Sequence, residues 1–296
     1  IVTKGPKVRI NNINFGGNLI DETKLKKSLK EIHEKSRLTL FPVNDKPVIV
    51  KTTPYTFDQY LKERGYLTFS KTKKILNPYV RIGFSSSKYD IKKYDESKDN
   101  LLNYYNSLGF RDAVIEKDTI YHNAVGHLNI DMQIKEGRKY FFGNITWRGN
   151  TKYPDSVLSS ILNIKKGDIY NREIFFNKLG KTPTAEGGDI SGIYQDDGYL
   201  FFSINPIETA VYNDTIDFEV RMQEGPQATI KTIRIAGNEK TKDFVVRREI
   251  RTVPGDKFSR SLLIRSQREI SQLNYFDQEK IKIDPVPNPE DGTVDI

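Results

Sequence analysis

At 296 residues the chain has room for two or three domains. Hydrophobic residues make up 36% and charged residues 29%, which supports folded cores under a polar surface, and no apolar run approaches the ~18 residues of a membrane-crossing helix. The absence of cysteine excludes a disulfide framework and a thiol nucleophile.

The net charge of +8 is local. Residues 139–225 carry 9 Lys/Arg and 12 Asp/Glu, and residues 226–296 carry 13 and 11. Residues 1–138 carry 25 and 16, and within them residues 35–93 hold 13 Lys/Arg against 4 Asp/Glu. A chain-wide nucleic-acid surface therefore loses most of its support. The chain opens with Ile1-Val2-Thr3-Lys4, without a charged-then-apolar leader, and stops mid-strand at Val294-Asp295-Ile296. The natural protein is expected to continue in both directions.

In chain order, Val8, Ile10, Ile13 and Phe15 predict an extended first strand, and Gly16-Gly17-Asn18 supplies a turn. Leu25, Leu29 and Ile32 give one face of a helix with Asp21 near its start as cap. Residues 35–88 depart from the pattern, with Pro42, Pro47, Pro54 and Pro78, a short helix around 57–61 and several aromatics. The pattern resumes near Tyr94, where Leu101, Tyr104, Tyr105 and Leu108 line a helix ended by Gly109. Residues 110–117 read as a strand. Leu128, Ile130, Met132 and Ile134 alternate with Asn129, Asp131, Gln133 and Lys135, a strand with one wet face.

A second segment repeats this order. Phe141, Ile145 and Trp147 alternate as a strand, and Val157, Leu158, Ile161 and Leu162 form a helix. A Gly-rich stretch at 180–188 interrupts a second helical run before Ile193-Tyr194. Residues 199–204 read as the next strand, and Ile216, Phe218, Val220 and Met222 as the last. The third segment runs through Ile230, Ile233 and Ile235, a helix at Phe244, Val246 and Ile250, and a helix at Leu263, Ile270 and Leu273. It ends with a short strand at 280–283, the turn Asp291-Gly292, and Val294 with Ile296.

Glu136-Gly137, Gly149-Asn150, Gly167-Asp168 and Arg172 each recur 88 positions later, as Glu224-Gly225, Gly237-Asn238, Gly255-Asp256 and Arg260. One register shared by several punctuation points marks tandem modules. The boundaries fall at 1–138, 139–225 and 226–296, with the insertion at 35–88 inside the first. No Pro/Ser linker sits at the junctions, so adjacent modules should be closely coupled.

These βααββ modules, with Gly-Asn after the first strand and Gly-Asp before the second helix, resemble POTRA (polypeptide-transport-associated) domains. The third, with Ile233-Arg234-Ile235-Ala236-Gly237-Asn238, Val246-Arg247-Arg248-Glu249-Ile250, Phe258-Ser259-Arg260-Ser261 and Leu273-Asn274-Tyr275-Phe276, is similar to the membrane-proximal module of the BamA family of outer-membrane β-barrel assembly proteins. The resemblance implies an α+β tandem array of three modules, each with two helices packed on a three-stranded mixed sheet. It implies a site on the periplasmic side of the bacterial outer membrane, followed by the protein's own C-terminal barrel. Neighbouring readings are the array of a TamA-like or two-partner-secretion translocase.

No catalytic constellation emerges. His33, His122 and His127 share no metal-ligand spacing, and Gly180-Lys181-Thr182 lacks the earlier glycine of a phosphate loop, since position 175 is Phe. No enzyme activity, metal or cofactor is expected. Binding chemistry is better supported. Each module ends in a hairpin, so one strand of each sheet lies at an edge, and Pro206 and Pro285 would close the second strands. The resemblance implies that this second strand takes up extended peptides from unfolded outer-membrane protein precursors, through Val114 and Ile115, Phe201 and Phe202, and Ile281 and Ile283. Four or five backbone hydrogen bonds at roughly 0.5–1.5 kcal/mol each would be offset by about 2–5 kcal/mol of ordering. The result is weak, sequence-tolerant binding, and the competing reading is an edge blunted only against aggregation.

Arg247, Arg248 and Glu249 project away from the Val246/Ile250 face. By resemblance this helix meets an accessory lipoprotein of the assembly complex, with Arg247 and Glu249 as ion-pair anchors; otherwise it is a solvated helical face. In the insertion, basic residues interleave with Phe41, Tyr55, Phe57, Tyr60, Tyr66, Phe69, Tyr79 and Phe84. The favoured reading is a satellite aromatic core made soluble by lysines. Contact with anionic lipid or an acidic partner comes next, and single-stranded nucleic acid last; no nucleic-acid partner is expected.

Overall fold

Apolar spacing sets the elements, and local side chains set their ends. The computed structural model describes residues 8–41, 47–50, 57–62, 75–82, 88–123, 126–181, 188–288 and 290–296. It divides into two compact units, Ile1–Lys139 and Tyr140–Ile296. The first unit runs β1 (Ile10–Gly16), α1 (Glu22–Ser28), β2 (Arg37–Leu38), α2 (Phe57–Lys62), β3 (Val80–Arg81), α3 (Ile91–Ser107), β4 (Val114–His122) and β5 (Leu128–Lys135). The second runs β6 (Phe141–Arg148), α4 (Asp155–Leu162), α5 (Arg172–Leu179), α6 (Ile190–Asp196), β7 (Ser203–Tyr212) and β8 (Thr215–Gln223). It continues with β9 (Thr229–Thr232), α7 (Asp243–Arg247), α8 (Arg260–Gln272), β10 (Val286–Asn288) and β11 (Thr293–Asp295). Asp21, Asp90, Asn171, Asp189 and Ser259 cap α1, α3, α5, α6 and α8 by accepting from backbone N–H groups of the first turn.

All three modules share one sheet topology. The last strand of each is central, parallel to the first and antiparallel to the second: β1-β5-β4, β6-β8-β7 and β9-β11-β10. Helices cover one face. Ile13, Leu25, Leu101, Tyr105 and Ile130 anchor the first core, and Phe142, Leu158, Phe175, Tyr194 and Phe218 the second. The third core is smaller: Ala228, Ile230, Phe258, Leu263 and Val294.

The repeated Gly-Asn and Glu-Gly signposts meet in space. In the first module Glu136, at the end of the central strand, accepts from the Leu19 N–H (2.7 Å), the Ile20 N–H (3.3 Å) and the Tyr105 hydroxyl (3.0 Å). In the second, Glu224 accepts from the Thr151 N–H (2.7 Å), the Lys152 N–H (2.9 Å), the Tyr194 hydroxyl (2.9 Å) and the Thr151 hydroxyl. Gly17 and Gly149 lie in the left-handed region, and a Cβ there would strike the carbonyls of Ile134 and Met222 at 2.3 and 2.1 Å. Only glycine lets the turn approach the central strand so closely.

Several strands start later than the sequence suggests. Turns at 110–113 push the start of β4 to Val114, and a turn in which the Phe202 N–H bonds the Tyr199 carbonyl pushes β7 to Ser203. Pro206 therefore lies inside β7, opposite Val220. The expected strand at 280–283 is instead β10 at Val286–Asn288, with Pro285 just before it and Pro287 opposite Val294. Among the described residues no strand pairs with Ile281 or Ile283, while Thr293 and Val294 pair with β9 as Thr215 and Ile216 pair with β6. The helix expected through Ile250 stops at Arg247.

The expected wet face of β5 is wet only at its end, where Lys135 is exposed and Gln133 half-buried. Asn129 and Asp131 are fully buried, because the insertion lies over them. Asn11 donates to Asn129 (2.9 Å) and Asn14 to Asp131 (2.8 Å), and the Val48 and Ile49 N–H groups bond the other oxygen of Asp131 (2.6 and 3.1 Å). Arg37 reaches Asn11 and Asn12 (3.0 Å each), and Arg81 pairs with Glu34 (3.0 Å). Phe41 and Tyr79 are exposed, which argues against the satellite core as far as they are concerned. Tyr55, Tyr66, Phe69 and Phe84, and the Gly-rich residues 182–187, lie outside the described residues.

The second and third modules are locked within one unit. Asp196, at the end of α6, accepts from the Ser261 N–H (2.7 Å) and the Ser259 hydroxyl (3.1 Å) at the start of α8. The Ala228 N–H bonds the Gly198 carbonyl (2.8 Å), and the Gln227 amide bonds the Asp197 carbonyl (2.8 Å).

Burial works against the charge of Glu224, but the donors from Lys152, Thr151 and Tyr194 hold its carboxyl below the ordinary range. A lowered folded value means stability that is full above the unfolded pKa and is lost as pH falls through the folded one. Glu224→Gln should cost about 1–3 kcal/mol at pH 7 in urea unfolding. Its deficit against the parent should shrink as pH drops below 4.5, the ordinary value for this group.

Candidate functional site: strand rims and the α7 face

Each three-stranded sheet has two edges, and among the described residues chain segments bond back along only one of them. On the β6 edge the Gly167-Asp168 loop bonds back to the strand: the Gly167 N–H to the Phe142 carbonyl (2.8 Å), the Phe142 N–H to Asp168 (2.8 Å) and the Tyr170 N–H to Tyr140 (2.9 Å). Gly255-Asp256 does the same for β9 through the Gly255 N–H to Ile230 (2.7 Å) and the Ile230 N–H to Asp256 (2.8 Å). On β1, Lys35 bonds Ile10 (2.8 Å), Tyr89 bonds Val8 (3.1 Å), and Glu34 accepts from the Ile13 N–H (2.8 Å). Among the described residues no strand pairs with the outer sides of β4, β7 and β10.

These three rims differ in chemistry. β4 is long but carries Glu116, Lys117 and Asp118 and a bulge after Ile115, devices that blunt an edge. Asp118 accepts from the Tyr94 hydroxyl (2.7 Å) and Lys98 (3.3 Å). Burial opposes its charge, yet these two donors hold its carboxyl below the usual value. β10 is three residues long with Pro287 at its centre. Proline brings no donor to a rim, so β10 is a poor template.

β7 is the open one. It spans ten residues, and its distal half, through Val211 and Tyr212, is exposed. The two-residue turn Asn213-Asp214 makes Tyr212 and Thr215 the closing pair. Hydrogen-bonded and non-bonded pairs then alternate back along the ladder, with one residue skipped at the bulge between Glu208 and Ala210. The backbone groups of Val211 and the nitrogen of Pro206 face outward in this register, the orientation in which a proline costs the ladder nothing.

The anticipated rim residues separate accordingly. Val114 is exposed at the start of β4 opposite Lys135, and Ile115 is half-buried against the first core. Phe202 is buried, its ring stacked on Tyr194 at 4.1 Å, and Phe201 packs against the third module's core; both precede the strand. Ile281 and Ile283 precede β10, where the Ile281 carbonyl accepts from the Gln267 amide (3.0 Å) and Ile283 packs on the third core. The stretch 209–212 was missed. The Asn213-Asp214 pair, followed by the Ile216 alternation, is the sequence signal that would have placed the strand up to Tyr212.

On α7, Arg247 pairs with Asp243 one turn back (3.0 Å) and Arg248 with its neighbour Glu249 (2.9 Å). Beside them Glu269 receives Arg251 (2.5 Å) and Arg265 (3.0 Å), and the hydrogen bond from Arg251 leads in holding its carboxyl low. Phe244, on the same helix, is 62% exposed. The charges expected to face a partner are thus paired locally around an apolar side chain. Among the described residues no group of His, Cys, Asp or Glu is placed to hold a metal ion, and no helix is long and apolar enough to cross a membrane.

Three tandem modules of one sheet topology, each with a loop or segment bonded back along its first strand, define the class of fold. The POTRA family model, described as a surface antigen variable number repeat, matches residues 8–137, 140–225 and 228–296, and the chain belongs to that family. It is 27% identical over 206 residues to the outer membrane protein assembly factor BamA of Neisseria meningitidis serogroup B (strain MC58), covering 68% of this chain and 24% of that protein. It is 25% identical over 247 residues to BamA of Neorickettsia risticii, covering 81% and 31%. The chain thus spans about a quarter to a third of these relatives' length. The crystal structure of Haemophilus influenzae BamA POTRA3-5 superposes with a TM-score of 0.66 at 16% identity, covering 100% of this chain and 97% of that one; at this identity the likeness concerns the fold.

Since Phe202 sits in a core and not on a rim, Phe202→Ala should lower stability by about 3–5 kcal/mol in urea unfolding. A cost below about 1 kcal/mol would return it to the surface.

Proposed function

We propose that this chain is the periplasmic POTRA region of a BamA-type outer-membrane assembly factor, with modules at 1–138, 139–225 and 226–296 followed by a β-barrel of the same protein. Its work is to hold, by transient strand addition, extended segments of unfolded outer-membrane proteins on their way to that barrel. The observation that carries this reading is the asymmetry of the edges: loops bond back along the first strands, while β7 keeps a long rim. Backbone hydrogen bonds of an added strand contribute roughly 0.5–1.5 kcal/mol each, and little side-chain readout is needed. Weak, sequence-tolerant binding follows, which suits a carrier that must let go. Of the three rims β7 is the main site, β4 a lesser one restricted to Val114 and Ile115, and β10 is closed by its proline.

The α7 face is the docking surface for an accessory lipoprotein. Phe244 supplies the apolar anchor, and Arg247, Arg248 and Glu249 the surrounding charges, which exchange local partners for those of the lipoprotein.

Val211→Pro removes one outward donor from β7 without touching the β7–β8 ladder. In an NMR titration with a peptide from an unfolded outer-membrane protein, the parent should show shifts along 207–212 and the variant should lose them with its fold intact; equal shifts in both would exclude addition at β7. Reversing charge at Arg247 and Glu249 together should change stability by less than about 1 kcal/mol yet abolish co-purification of the lipoprotein from the native membrane. Full retention would remove the α7 face from the assignment.

A further inference from the structure

Lys181 comes round the outer edge of β7. It follows α5, whose Phe175 and Leu179 are buried in the second core, so its backbone stands on the helix side of the sheet. Its ammonium nevertheless bonds the Asn205 side chain (3.3 Å). Asn205 and its ladder partner Arg221 are exposed on the open side, next to Ile204 and Met222, which point into the core. Since β7 is the edge strand of β6-β8-β7, a side chain that passes from the helix side to Asn205 crosses the rim there. The Phe176 ring, 5.5 Å from the same ammonium, supports it from below. Among the described residues Lys181 has no carboxylate partner, although residues 139–225 carry 12 Asp/Glu against 9 Lys/Arg.

The other end of the rim carries the opposite sign. Asp214, in the turn that closes β7 on β8, is exposed and has no ion-pair partner among the described residues. Asp217 lies across the ladder from Ala210, held by the Asn144 N–H (2.6 Å) and the Tyr212 hydroxyl (3.3 Å), and Glu208 is exposed on the same half. Arg221 adds little at the Asn205 end, because Glu219 receives it (2.6 Å). About 23 Å of strand separates Asn205 from Tyr212, well beyond the ~8 Å screening length of physiological salt. A strand lying along the rim therefore meets a cation at one end and anions at the other, each felt separately. We propose that Lys181 and the Asp214 turn set the direction of a strand added to β7, with its acidic end at Asn205 and its basic end at the turn. The ligand this rim selects is an extended segment with a carboxylate and an ammonium group about 23 Å apart. The inference rests on strand addition at β7.

The test uses the whole chain and two end-capped peptides of about eight residues. Each has alternating valine and threonine between a glutamate at one end and a lysine at the other, in the two possible orders, with a nitroxide beside the glutamate. For both peptides the nitroxide should broaden the amide signals of 203–205 and spare those of 211–213, so the two run in opposite directions along β7. The preference should be on the order of tenfold in low salt and fall in high salt. Exchanging the charges, Lys181→Glu with Asp214→Lys, should reverse the pattern. Both side chains are exposed, so the fold should persist, which the remaining amide signals report. Equal broadening at both ends, or a preference that the exchange leaves in place, would overturn the inference and leave strand addition standing. No shift along 207–212 with either peptide would remove both.

Discussion

Closure of a module depends on one carboxylate. Glu136 and Glu224 end the central strands of the first two sheets, and each gathers two backbone N–H groups from the turn before the first helix and a tyrosine hydroxyl from the second helical run. Strand, turn and helix are fixed to one another at a single point. Burial and the adjacent carboxylate push both Tyr105 and Tyr194 above the ordinary phenol range, so the hydroxyls stay protonated and remain donors. The arrangement makes the last strand central by necessity, because its end must reach the turn that follows the first.

Once the last strand is central, the first and second become edges, and the module treats them differently. The Gly-Asp loop folds back along the first edge, its glycine in the left-handed region at Gly167 and Gly255, and its backbone groups bond the strand. Among the described residues nothing comparable reaches the second edge. The same backbone logic that closes a module therefore leaves it one rim, and length, bulges and prolines decide how usable each rim is.

The insertion changes the first module in another way. A sheet of this kind has one face under helices and one in water, as the second module shows with Arg148, Glu219 and Arg221 paired on the open side. In the first, the outer face carries Asn11, Asn129 and Asp131 and is buried. Buried polar groups of this type ordinarily persist only when hydrogen-bonded: Arg37 donates to Asn11, the backbone at Val48 and Ile49 to Asp131, and Asn11 to the Asn129 oxygen, while the Asn129 amide nitrogen finds no partner among the described residues. The cover leaves its own apolar side chains outside.

The sequence alone determined the number of modules, the order of elements and the identity of most core residues, because these rest on local periodicity and on glycines whose backbone conformation no other residue adopts cheaply. Val114 and Ile115 could be placed on an edge strand for that reason. Tertiary structure decided the rest. Phe201 and Phe202 look like strand residues by spacing, but the turn at Tyr199 and the stack on Tyr194 take them inside. Asn129 and Asp131 read as wet by alternation, since a polar side chain gives no sign that Asn11 and the backbone of the insertion at Val48 and Ile49 will meet it. Ile281 and Ile283 alternate like a strand, and no strand among the described residues pairs with them. Periodicity reports which side chains prefer company; which backbone meets which is settled by contacts far apart in the chain.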